Sequence, residues 1–151
     1  MAVKNIWTTL SLYEALLSSD LVKSGHASID IVEGVGSTLH LIMHDYGDLP
    51  LFVTVAGEQI LVEAVLWART DVKDTAAFND AVLRTHKYFP LSTISLDALI
   101  DDEDYYQMFG ALSSSSSLDD IFLEVEVLAD NVIQATEAFD EYLIKTEKAR
   151  A

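Results

Sequence analysis

The sequence predicts an α+β fold, an antiparallel sheet with flanking helices, in the order α-β-β-β(-β)-α-β-β-α. Three observations predict it. Apolar residues recur at helical spacing in three segments, near the start, in the middle and at the end. Between them, apolar and polar residues alternate with period two. Short clusters of Gly, Asp and Pro divide those stretches as tight turns.

Residues 5–22 carry Ile6, Leu10, Tyr13 and Leu17 at helical spacing, with Asn5 placed as N-cap and Gly25 as terminator. From Ala27 the period changes to two. Ile29 and Ile31 alternate with Asp30 and Val32, Gly34 and Gly36 flank a turn, and Leu39, Leu41 and Met43 share one face opposite His40, Ile42 and His44. These two strands make a hairpin. After the turn cluster "DYGDLP", the stretch "LFVTVAGEQILVEAVLW" supplies two more strands joined at Ala56, Gly57 and Glu58. The second is apolar on both faces, which places it centrally with cover on both sides. Glu63 is the exception on its face and is expected at a wet edge or beside a partner, because a lone buried carboxylate is costly.

The segment "DVKDTAAFNDAVLRTHKYFP" is the middle helix. Asp74 or Thr75 caps it, Phe78, Ala81, Val82 and Thr85 line one stripe, and Arg84, His86 and Lys87 collect at the end where the dipole favours cations. Pro90 prevents continuation. Ser92, Ile94 and Leu96 alternate as a strand, "DDED" turns, and "YYQMFGAL" is the antiparallel partner, also expected to be covered on both faces. Its Tyr105 and Met108 are candidates for lining a partner groove, since Tyr and Met are frequent at adaptable interfaces. The serines at 113–117 form a loop whose last member, Ser117, caps the closing helix.

That closing helix is expected over residues 117–143, with Leu118, Ile121, Phe122, Val125, Leu128, Val132, Ala135, Phe139 and Tyr142 in one stripe. Glu124, Glu126, Asp130, Glu137, Asp140 and Glu141 mostly lie elsewhere on the cylinder. Such a helix would reach about 40 Å, more than the sheet of a small domain can cover. Leu128, Val132, Phe139 and Tyr142 are therefore candidate partner-binding residues, unless the stripe folds back onto the first helix.

Composition bounds the function. At 151 residues the chain is expected to be one α+β domain over 1–151. The absence of cysteine removes disulfides, thiolate nucleophiles and zinc-thiolate sites. With 25 acidic against 9 basic side chains, net −16, phosphate backbones and anionic lipid surfaces are repelled, which argues against nucleic acid as a partner. The excess is concentrated after residue 100, where 13 acidic and 3 basic side chains favour basic partners. No apolar run approaches 18 residues, and Thr8, Thr9, Ser11 and Glu14 interrupt any signal-like segment, so a cytoplasmic protein without direct membrane insertion is expected.

No reactive constellation emerges. His40 and His44 would lie about 13 Å apart along a strand and cannot share an ion. His44 with Asp45 and Asp48 is the remaining metal candidate. The serine run lacks a G-x-S-x-G elbow, and Asp101, Asp102, Glu103 and Asp104 lack the glycine and terminal glutamate of a calcium loop. Catalytic residues, cofactor and metal ligands are accordingly assigned to none. The alternative is a small-ligand binder or enzyme using the acidic and tyrosine turn at 101–106.

The stretches "GDLPLFVTVAGEQILVEAVLW", "VKDTAAFNDAVLRTHKYFPLST" and "DYYQMFGALSS" resemble the YjfI-like family of bacterial proteins of unknown function, over roughly residues 38–143. The resemblance implies a phage-shock-protein-A-like membrane-stress protein as candidate partner. The order of elements also resembles the type III secretion chaperone-like fold, whose members bind client polypeptides and commonly dimerise; an extra strand near Ile29 departs from it. The expected function is a non-enzymatic, acidic, protein-binding adaptor or chaperone-like module, with a homodimer as a further expectation.

Overall fold

A computed structural model describes residues 5–34, 36–98 and 101–145. Its elements run α1 (Thr9–Leu17), α2 (Asp20–Lys23), β1 (Ala27–Val32), β2 (Thr38–Met43), β3 (Leu49–Ala56), β4 (Gln59–Ala68), α3 (Thr75–Thr85), β5 (Thr93–Ala98), β6 (Asp104–Ser113) and α4 (Leu118–Ala138). The strands form one six-stranded antiparallel sheet in the order β1-β2-β3-β4-β6-β5. The α+β class and the flanking helices stand as the sequence predicts. Among the described residues no helix is long and apolar enough to cross a membrane.

One sheet face carries the core. Ile29, Leu41, Leu51, Val53, Val62, Ala64, Met108 and Ile94 lie on it, all buried, and the helices supply Leu12, Leu16, Phe78, Val125 and Leu128 from above. Phe78 of α3 centres an aromatic group, with Trp67, Tyr106, Phe139 and Tyr142 rings at 5.8, 4.7, 5.2 and 5.7 Å in edge-on geometry.

Four expectations are corrected. The first helix starts at Thr9 rather than after Asn5, because Thr8 accepts from the Ser11 amide while Ser11 returns a bond to the Thr8 amide. Ser18 then ends it, and α2 follows as a separate turn. Its buried pair is Leu12 and Leu16, one i,i+4 ridge round from the expected stripe, so Ile6, Leu10 and Leu17 face solvent. The Trp7 indole fixes that rotation by donating to the Ser116 carbonyl at 2.7 Å, and the Trp7 amide donates to Ser114.

The closing helix is also shorter, 21 residues instead of reaching 143. Phe139 turns the chain, and Tyr142 and Leu143 return beside Val72, with Lys73 donating to the Tyr142 carbonyl and Ile144 to that of Asp71. The supposed surplus stripe is thereby packed against α3 and the sheet. Leu128 is fully buried, and Val132 and Phe139 are nearly so.

Glu124 does not share the polar side of α4. It is 5% exposed, over Gly110 of β6, with Oε1 unpartnered among the described residues. The helix start does follow expectation, since Ser117 accepts from the Asp120 amide at 3.1 Å. Ser117→Ala is expected to cost about 1 kcal/mol of stability, read by urea denaturation.

Finally, β4 and β6 have helical cover on one side only. The second sheet face meets no described helix, although the sequence makes both faces apolar.

Candidate functional site

That second face is the most distinctive surface of the molecule. Strand alternation puts Asp30, His40, Phe52, Glu63, Phe109 and Thr93 in one register row that crosses all six strands. With neighbouring strands about 4.8 Å apart, the row spans about 24 Å. Ile42, Leu61 and Val65 flank it on the same side. Phe52, Leu61, Phe109 and Ile42 are half-buried, and Val65 is 38% exposed. The His40 ring lies flat on Phe52 with centroids 5.0 Å apart and planes 9° from parallel, which stiffens one half of the row.

The other half is charged. Glu63 sits between Phe52 and Phe109, at neither edge, so the expected wet margin is not where it lies. Burial, and secondly the nearby Asp97, push its carboxyl above the ordinary carboxylate pKa, and no cation among the described residues offsets them. No strand position of this face is Lys or Arg.

Of the residues singled out from sequence, Tyr105 lies on this face, where it pairs with Asp97 at the β5 edge. Its neighbours Asp101 and Glu103 raise its phenol pKa, Asp101 most. Met108, Leu128, Val132 and Phe139 are core side chains and cannot reach a partner in this conformation. Tyr142 is half-buried against Phe78. Strand parity places Tyr105 and Met108 on opposite faces, which their shared candidacy overlooked. Phe52 and Phe109 carried the decisive signal, a second apolar face on strands given only one layer of helices.

The other chemical candidates are dispersed. His44 bridges Ser28 and Asp48 at 2.6 and 2.7 Å, and His26 pairs with Asp45 at 2.6 Å. Among the described residues no group of three or more His, Cys, Asp or Glu side chains is placed to hold a metal ion. In the acidic turn, Asp101 accepts from the Glu103 amide and Asp104 pairs with Arg69 at 3.1 Å. A cleft of about 720 Å³ lies elsewhere, between α2, α4 and the end of β2, lined by Leu21, His26, Met43, Tyr46, Phe122 and Glu126 among others.

Comparison with known proteins places this architecture. A family model described as "Uncharacterized protein conserved in bacteria (DUF2170)" matches residues 6–143. The chain is 32% identical over 136 residues to "Uncharacterized protein YjfI" of Escherichia coli strain K12, covering 90% of this chain and 97% of that protein. The protein of the same name from E. coli O157:H7 matches equally. Among solved structures, YbjN from E. coli, a proposed transcription regulator, superimposes with a TM-score of 0.65 at 12% identity, covering 95% of this chain and 100% of that one. An uncharacterized protein from Methanothermobacter thermautotrophicus gives 0.61 at 12% identity, over 87% and 99%. At such identities these two structures speak to fold alone.

Proposed function

The chain belongs to the DUF2170 family of bacterial proteins and is similar to YjfI, and on that premise we propose that it is a non-enzymatic, cytoplasmic adaptor or chaperone-like module that holds a protein partner on its open sheet face. The observation that carries this reading is the half-buried row Phe52, Glu63, Phe109 with Ile42, Leu61 and Val65 around it, on the face without a helical layer among the described residues. A sheet stabilises its apolar side chains by placing a second layer on each face, and here one layer is absent among the described residues. Burying such a face supplies roughly 25 cal/mol per Å² of apolar area, which a polar, solvated sheet face could not. A phage-shock-protein-A-like protein is the partner to which the family resemblance leads.

Affinity capture from native cytosol tests the reading. Phe109→Asp puts a charge on a half-buried, outward-facing position, so the fold is expected to persist while partner recovery falls at least tenfold. Circular dichroism checks the first and quantitative mass spectrometry the second. Equal recovery by the wild-type protein and a folded Phe109→Asp variant would move the partner surface elsewhere.

A further inference from the structure

We infer that the occupant of the open sheet face is an amphipathic helix whose apolar side is interrupted by a lysine or arginine, laid across the strands so that this cation meets Glu63. The inference rests on the docking reading above and names the chemistry of its partner. Three observations carry it.

First, the charges on the face have one sign. Asp30, Glu63 and Asp97 lie on it, none of its strand positions is Lys or Arg, and its one imidazole, His40, is stacked on Phe52. A half-buried carboxylate between two phenylalanines is costly to keep ionised, and a cation delivered by a partner removes that cost. Glu63 makes no ion pair of its own among the described residues.

Second, the dimensions suit a helix. The row of about 24 Å is matched by about 16 helical residues, and helices are the elements that already pack on this sheet's other face. A docked helix would complete an α-β-α sandwich. A strand would instead join a sheet edge, at β1 or β5, and would leave the phenylalanines uncovered.

Third, the charges disfavour a second copy of the chain. Face-to-face stacking would bring Asp30, Glu63 and Asp97 of one molecule against their counterparts, in a protein that already carries net −16. Like charges placed opposite each other in an interface are an obstacle that a basic partner does not meet.

The test uses the full-length protein, labelled with 15N, and two synthetic amphipathic 18-residue peptides with the same leucine pattern. One carries lysine and the other glutamate at every charged position. The lysine peptide is expected to shift the amides around Phe52, Glu63 and Phe109, and the glutamate peptide to leave them unmoved. Glu63→Lys is expected to weaken the lysine peptide at least tenfold and to admit the glutamate peptide. Glu137→Lys, which changes net charge equally but lies on α4, is expected to change affinity less than threefold.

Equal weakening by both variants would overturn the inference, because attraction would then follow net charge. Shifts confined to the helical layer, or none, would overturn it too. A dimer that Phe109→Asp converts to monomer would make a second copy the occupant. If Phe109→Asp loses a native partner while the lysine peptide fails, docking on this face stands and only the partner's chemistry falls. If the variant loses nothing, the docking reading itself fails.

Discussion

Leu128→Asp is expected to abolish cooperative folding at 25 °C. Leu128 is fully buried where α4 crosses the sheet, among Ile121, Val125, Val132 and the β4 side chains. Removing its side chain would by itself cost about 2–5 kcal/mol. The aspartate adds the penalty of an unpaired carboxylate in an apolar site, a further few kcal/mol. Against a total stability of about 5–15 kcal/mol, the sum leaves little or no native population. Leu128→Met, with nearly the same volume, is expected to cost less than about 1.5 kcal/mol. Urea titration with far-ultraviolet circular dichroism separates the two. A well-folded Leu128→Asp protein would mean that α4 can leave the sheet, returning its stripe to the candidate partner surfaces.

The second large effect is expected at Gly110. A Cβ there would overlap the Glu124 carboxyl and approach the Leu91 carbonyl oxygen at 3.2 Å, so Gly110→Val must swing the buried Glu124 side chain aside and press on the turn before β5. A loss of about 1–3 kcal/mol is expected, partly restored by adding Glu124→Ala, which vacates the space. Full additivity in the double-mutant cycle would show that the two residues do not compete for one volume.

Glu124 also makes stability depend on pH in a direction opposite to that of a salt-bridged carboxylate. Burial raises its folded pKa above the unfolded value, so the folded state holds the proton more tightly. Its contribution is most favourable below the unfolded pKa of about 4.3 and is lost as pH rises through the folded pKa. Each unit of elevation removes about 1.4 kcal/mol above that range. Glu124→Gln is therefore expected to gain stability over the parent at pH 7 and to lose this advantage at pH 4. A constant difference between the two proteins across that range would refute the assignment.

The legibility of this chain depended on whether a residue's fate is decided locally. The β1-β2 and β3-β4 hairpins were readable because period two and Gly-rich turns specify them within a few residues. Asp74 and Ser117 were readable as caps for the same reason. In α1, by contrast, Ile6, Leu10 and Leu17 compete with Leu12 and Leu16 for burial, and the contact that decides between them lies with Ser116. No local pattern contains that information. The apolar second face of β4 and β6 predicts complete burial when taken strand by strand, whereas its meaning depends on how many layers the chain itself can supply. Phe52 and Phe109 were thus visible as residues but not as a surface. The shortening of α4 depended likewise on the remote pairing of Val72 with Leu143.

The tether from Trp7 to Ser116 has a consequence for synthesis. Its partners are 109 positions apart, so a ribosome working at about 5–20 residues per second adds the second roughly 5–20 s after the first. Throughout that interval the indole of Trp7 has no carbonyl to latch onto, while the two N-terminal hairpins can already pair. The nascent chain therefore passes through a stage in which its first helix is greasy, unlatched and accessible to holdases, and the serine loop is the catch that ends it.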